Sequence, residues 1–210
     1  MFVKLCGFTR ETDLAAAAEF PVSAAGFVFH RASPRFVSAD RARELSRVLN
    51  GTGILRVGVF TGTDADEIAR TAESARLDFA QVYDGAVAEK LRPRIRVIRA
   101  IRVRDTEDME TIPEPVDDDL LLLDLYDGTA IGGTGKPFDW TGMCGFAHIK
   151  RTIVAGGIGA ENVGRLFAGA RPFGIDVSSG IEDAPGIKST EKIRQLFDAL
   201  SEVDHEKHAR

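Results

Sequence analysis

A closed (β/α)8 barrel is the fold class this sequence predicts, and three observations predict it. Eight short, nearly continuous apolar runs punctuate the chain, each followed by a stretch of about helix length. No linker or break in composition divides the 210 residues. The turn after the first run, Cys6-Gly7-Phe8-Thr9, also lacks the Gly-x-Gly-x-x-Gly spacing that a doubly wound open sheet, the structural competitor, usually places there. Strands this continuously apolar suit parallel neighbours covered on both faces.

Taken in order, residues 3–5 form the first strand, and 11–20 present an Ala-rich apolar face as the first helix. Strand two covers 25–29, followed by a helix over 39–49 with Ser38 at the N-cap position. Strand three spans 55–60, and Asp64 stands before a helix over 65–76. Strands four and five cover 79–82 and 97–101, with shorter helical stretches at 85–91 and 106–112. Strand six spans 120–125 and strand seven 153–155, followed by short candidate helices at 140–146 and 161–167. Strand eight is 174–177, after which Ser189 precedes a helix over 190–200. The barrel is expected to fill residues 1–203 as one catalytic domain, leaving 204–210 as a polar, frayed tail.

Composition narrows the function classes. The chain is 44% hydrophobic and 28% charged, enough apolar material for a sizeable core. Its net charge of -5, with basic residues scattered among acids, argues against nucleic acid as a partner. No apolar run approaches the roughly 18 residues that span a bilayer, so no membrane association is expected. The N-terminal stretch has no signal-peptide pattern, and residence in the cytoplasm is the expectation. Cys6 and Cys144 are too few for a disulfide framework, and no CxxC or neighbouring His suggests a metal.

In such a barrel the active site forms where strands end, at their C-terminal side. The residues there are Lys4 and Cys6 on strand one, Ser33-Pro34-Arg35 beyond strand two, Gln81-Val82-Tyr83-Asp84-Gly85 at strand four and Asp124 at strand six. Strand seven ends in Gly156-Gly157-Ile158, and strand eight in Asp176-Val177-Ser178-Ser179-Gly180. Glycines and small hydroxyl residues after these last two strands can expose backbone N–H groups to a phosphate, although each loop alone also reads as a tight turn. Asp124 closes the run Leu120-Leu121-Leu122-Leu123, where a carboxylate is costly to bury unless it faces the barrel mouth. Such a setting raises a carboxyl pKa and suits a proton donor. Asp127 is a second candidate acid. Cys6 alone reads more readily as a small buried hydrophobe than as a catalytic group, and Arg35 as a solvated loop residue or a bidentate clamp for a carboxylate. The run Gly132-Gly133-Thr134-Gly135-Lys136 lacks P-loop spacing and reads as a loop over the mouth.

Together these strand ends resemble the phosphoribosylanthranilate isomerase family. The likeness is carried by Val3-Lys4-Leu5-Cys6-Gly7-Phe8-Thr9, Gly26-Phe27-Val28-Phe29, Ser33-Pro34-Arg35-Phe36-Val37-Ser38 and Arg56-Val57-Gly58-Val59-Phe60. It continues through Gly132-Gly133-Thr134-Gly135-Lys136-Pro137-Phe138-Asp139-Trp140, Ala155-Gly156-Gly157-Ile158, Asp176-Val177-Ser178-Ser179-Gly180-Ile181-Glu182 and Pro185-Gly186-Ile187-Lys188. The resemblance implies an Amadori rearrangement of phosphoribosylanthranilate in tryptophan biosynthesis, with Asp124 as general acid and Cys6 as general base. It implies that Arg35 holds the anthranilate carboxylate and that the backbone at Gly156, Gly157, Ser179 and Gly180 binds the phosphate, with Gln81, Asp176 and Ser178 as further substrate contacts. No cofactor or metal is implied. The expected partner is this small-molecule substrate, and the expected state a monomer, with a homodimer as the alternative.

One position departs from the family pattern: Tyr83 stands where the family usually carries histidine after strand four. Its larger ring and phenolic donor must take over that place. Two rival functions stand beside the isomerase. One is another sugar-phosphate barrel, such as an epimerase or the histidine-pathway isomerase, for which a second phosphate loop near strands three and four has weak support. The other is a non-catalytic or altered-specificity barrel that binds a phosphorylated sugar, against which the presence of both Cys6 and Asp124 argues.

Overall fold

The computed structural model describes residues 1–104, 106–116, 118–125, 143 and 145–208. Its strands are β1 (Phe2–Cys6), β2 (Ala24–Val28), β3 (Leu55–Phe60), β4 (Phe79–Val82), β5 (Arg96–Val103), β6 (Leu120–Leu125), β7 (Thr152–Ala155) and β8 (Gly174–Val177). They pair in sequence order and close from β8 back to β1. Every pairing is parallel, with Lys4 opposite Asp176 across the closing seam. This is the predicted barrel, and the open-sheet competitor falls because β1 has a neighbour on each side.

Alternation along each strand divides the side chains between two cores. In β1, Val3 and Leu5 turn outward and join the larger core, which also contains Leu14, Leu45, Leu166 and Leu196. The inward set fills the barrel: Ala24, Val57, Phe79, Ile98, Ala100, Leu122, Ile153 and Ala155 form one buried cluster. An interior packed this way leaves no pore, so reactive groups must stand at one rim.

The helices are α1 (Glu11–Ala17), α2 (Ala39–Ser46), α3 (Ala65–Ala75), α4 (Gly85–Leu91), α5 (Thr106–Glu110), α6 (Val163–Gly169) and α7 (Thr190–His208). Two expected caps form: Ser38 Oγ accepts from Arg41 N at 3.2 Å, and Asp64 Oδ1 from Asp66 N and Glu67 N at 2.9 and 3.1 Å. Asp84 caps α4 in the same way, at 2.8 and 3.1 Å to Ala86 N and Val87 N. The polar end of the chain differs from expectation. The last helix runs to His208 rather than ending near residue 200. The candidate helix at 140–146 and the loop Gly132 to Lys136 lie outside the described residues, apart from Met143, Gly145 and Phe146.

An addition the sequence did not announce follows β8. A short helical turn, Ser179–Ile181, leads into an antiparallel hairpin of β9 (Glu182–Ala184) and β10 (Ile187–Lys188). The hairpin lies over the rim and delivers two charged side chains to it. No helix among the described residues is long and apolar enough to cross a membrane.

Candidate active site

The rim at the C-terminal strand ends gathers the predicted residues. Cys6 ends β1 and is buried, with its sulfur packed on β2: a Cβ added at Gly26 would lie 2.7 Å from it. Lys4, two residues earlier on the same inward face, is fully buried and binds Asp176 Oδ2 at 2.7 Å. Burial opposes the lysine charge, but pairing with Asp176 overcomes it and holds its pKa above the ordinary value. For Cys6, burial pushes the thiol up, while the charges of Lys4 and Lys188 pull back toward the thiolate.

Asp124 stands on β6, opposite Arg102 of β5 and Ala155 of β7. Burial raises its carboxyl pKa, and the charge of Asp176 adds to the rise. A hydrogen bond from Tyr83 Oη at 3.3 Å and the charge of Arg102 act the other way. Tyr83 is itself pushed upward, by burial first and then by Asp124, so its hydroxyl is a neutral donor. The Arg102 guanidinium lies 5.3 Å from the centre of its ring. Tyr83 thus occupies the departed position as a phenolic donor aimed at the carboxyl.

Two buried acceptors at this rim have no partner among the described residues: Gln81 Oε1 and Asp176 Oδ1. An unpaired buried acceptor costs free energy, and a ligand carrying hydroxyl or amine donors would satisfy both oxygens. Ser178 differs, since its hydroxyl donates to the Cys6 carbonyl at 3.1 Å and stitches β8 to β1.

Arg35 is held rather than free. Its Nε binds Glu182 Oε1 and Oε2 at 2.9 and 3.2 Å, and its Nη2 binds Oε2 at 2.6 Å. Glu182 also accepts from Lys188 Nζ at 2.8 Å, and the same ammonium donates to the carbonyls of Cys6 and Ser178. Burial works against the Glu182 carboxylate, but its bonds from Arg35 and Lys188 prevail and keep its pKa low. Burial also lowers the Lys188 pKa against the pull of Glu182. The hairpin therefore fixes Arg35 with one face of its fork and leaves Nη1 for another acceptor.

The loops after β7 and β8 meet. Gly156 and Gly157 have φ of 101° and 63°, a conformation that favours glycine. Asn162 ties this loop by donating to Gly157 O at 2.7 Å and accepting from Gly159 N at 3.0 Å. Gly180 abuts it so closely that an added Cβ would lie 2.1 Å from Ile158 O. Gly157 and Ser179 face solvent.

All ten predicted site residues thus stand at one rim, and their binding roles are taken up below. Asp127 and Cys144 lie outside the described residues. Sequence reasoning assigned no role to Lys4, Arg102, Glu182 or Lys188. A lysine two residues before Cys6 within an apolar strand was the one visible signal; Glu182 and Lys188 depend on contacts 147 and 182 residues apart.

Comparison with known proteins places this arrangement. The family described as N-(5'phosphoribosyl)anthranilate (PRA) isomerase matches residues 3–199. The N-(5'-phosphoribosyl)anthranilate isomerase of Rubrobacter xylanophilus is 42% identical over 202 residues, covering 94% of this chain and 97% of that protein. Phosphoribosyl anthranilate isomerase from Thermotoga maritima superposes with a TM-score of 0.85 at 31% identity, over 96% of this chain and 99% of its own. A structure of the isomerase in complex with reduced 1-(o-carboxyphenylamino)-1-deoxyribulose 5-phosphate matches with a TM-score of 0.81 at 29% identity, over 96% and 99% of the two chains.

Proposed function

The chain belongs to the N-(5'-phosphoribosyl)anthranilate isomerase family, and we propose that this rim performs the family's Amadori rearrangement with Asp124 as acid and Cys6 as base. The observation that carries the assignment is a division of environments. One carboxyl is held toward its neutral form by burial, and one thiol lies beside two ammonium groups at the same rim. Acid–base work near neutral pH needs a carboxyl that keeps its proton and a thiol whose ionised form is supported by nearby positive charge.

Asp124 protonates the furanose ring oxygen of phosphoribosylanthranilate, and the ring opens to a Schiff base. The Cys6 thiolate then takes the proton from C2, giving an enolamine that tautomerises to 1-(2-carboxyphenylamino)-1-deoxyribulose 5-phosphate. Gln81 Oε1 and Asp176 Oδ1 accept from the sugar hydroxyls, which supplies the donors these buried oxygens lack. Arg35 offers Nη1 to the anthranilate carboxylate while Glu182 keeps its plane fixed. The phosphate lies on backbone N–H groups at Gly156, Gly157, Ser179 and Gly180, with Ser178 supporting the turn. The biosynthetic role supports residence in the cytoplasm. A barrel that only binds a sugar phosphate requires neither proton-transfer group. The test is turnover of phosphoribosylanthranilate generated in situ and followed by its fluorescence. Rapid decay of the signal supports the assignment, and a folded protein that leaves the signal unchanged overturns it.

Tyr83 yields a pH prediction with a definite sign. A general acid works while protonated, so turnover holds below the pKa of Asp124 and falls above it. The Tyr83 hydroxyl favours the charged carboxylate. In Tyr83→Phe that support is gone, the carboxyl pKa rises further, and the high-pH limb of the kcat profile moves to higher pH. A limb that stays in place or moves to lower pH would show that Tyr83 does not act on the acid.

A further inference from the structure

The position of Lys4 is the least explained feature of the rim. A charged side chain with no exposure at all stands in a barrel interior that is otherwise filled by Ala24, Val57, Phe79, Ile98 and Leu122. Burying an ammonium is expensive unless its donors are met. It has three of them: one goes to Asp176 Oδ2 at 2.7 Å, and Cys6 is the other side chain within its reach. The next inward side chain of the same strand is Cys6, whose sulfur is pinned against β2 by contact with the Gly26 backbone. Lys4 pairs with Asp176, while Lys188 and Arg35 share Glu182.

We propose that Lys4 is the positioning residue for the base: a buried ammonium shared between Asp176 and the Cys6 sulfur, which offsets part of what burial costs the Cys6 thiolate. The inference deepens the acid–base reading above and rests on it. Asp176 sets how much of the ammonium the sulfur receives. With its carboxylate paired to Lys4, the thiolate is moderately stabilised; with that carboxylate neutralised, the full lysine charge acts on the sulfur. The groups facing Cys6 are Lys4 on its own strand, Asp176 on β8, Lys188 on β10, Arg35 beyond β2 and Tyr83 beyond β4. Of these, Lys4 has the largest favourable influence on the thiolate. Lys188 is turned to the Cys6 carbonyl and to Glu182 instead.

The test is the pH titration of the Cys6 thiolate by its ultraviolet absorbance, in a Cys144→Ser background that leaves Cys6 as the sole thiol of the sequence. Lys4→Met should move the titration to higher pH and reduce the thiolate fraction at neutral pH by roughly tenfold or more. Asp176→Asn preserves shape and an acceptor for Lys4, and should move the titration the opposite way. Opposite shifts cannot come from a general loosening of the barrel. If Lys4→Met fails to fold, as judged by circular dichroism, the Asp176→Asn shift decides the matter. A titration that stays in place in either folded variant, or that moves upward in Asp176→Asn, overturns the proposal. The readout does not depend on turnover. Shifts of the expected sign in a protein that leaves phosphoribosylanthranilate untouched would sustain the Lys4 coupling and remove the base assignment, whereas turnover without the shifts would do the reverse.

Discussion

Asp124→Asn should lower kcat by about a hundred- to ten-thousand-fold, the range expected when a positioned general acid is lost. The amide is nearly isosteric with the carboxyl and still accepts from the Tyr83 hydroxyl, so the rim keeps its shape. What disappears is the proton for the ring oxygen. Since ring opening precedes C2 deprotonation, Cys6→Ala should fall in the same range, and the double variant should be scarcely slower than the worse single one. Affinity for a reduced product analogue should stay within a few-fold of the wild type in both, because neither group is needed to hold the phosphate or the anthranilate carboxylate. Single-turnover rates together with analogue titration would separate the two effects. If Asp124→Asn keeps more than about a tenth of the wild-type kcat, the acid is another group. Asp127 is then the next candidate from the sequence.

The fold was legible because parallel strands covered on both faces cannot disguise themselves. Leu55–Phe60, Phe79–Val82, Leu120–Leu125 and Gly174–Val177 are apolar runs in the sequence and strands of the same extent in the structure. β5 is longer than its apolar run, because it is extended by Arg96 at one end and Arg102-Val103 at the other, where charged residues hide the strand signal. Helix ends were legible where a capping side chain stood at the right offset, as at Ser38 and Asp64. The helical course of 201–208 was hidden, since a polar composition alone does not distinguish a solvated helix from a frayed end.

At the rim, the residue types were visible and their partnerships were not. Cys6, Asp124 and the paired glycine loops could be placed because strand ends are marked in sequence. That Lys4 faces Asp176 depends on closure of the barrel, which sets the first strand beside the eighth. Arg35 read as a free clamp, yet Glu182 holds two of its nitrogens from a hairpin that has only five strand residues and almost no hydrophobic signature. Local pattern reports which face a residue takes; it does not report what a distant segment brings to that face.

Gly180→Ala should raise KM for the phosphorylated substrate by roughly ten- to a hundred-fold, the equivalent of the 1–3 kcal/mol that overpacking usually costs. Gly180 needs no unusual backbone angle; it needs room. A methyl group there would meet Ile158 O at 2.1 Å, which is backbone of the neighbouring loop and cannot rotate aside as a side chain would. The loops after β7 and β8 must part, and the proposed phosphate cradle opens with them. Because the acid and base stand on β6 and β1, kcat at saturation should fall much less than kcat/KM, and competition by inorganic phosphate should weaken in parallel. Gly62→Ala is the control, since nothing lies within 4 Å of a Cβ built there. Equal KM in Gly180→Ala and wild type, with melting temperatures showing both folded, would place the phosphate elsewhere on the rim. A rise in KM matched by weaker phosphate competition would locate it between these two loops.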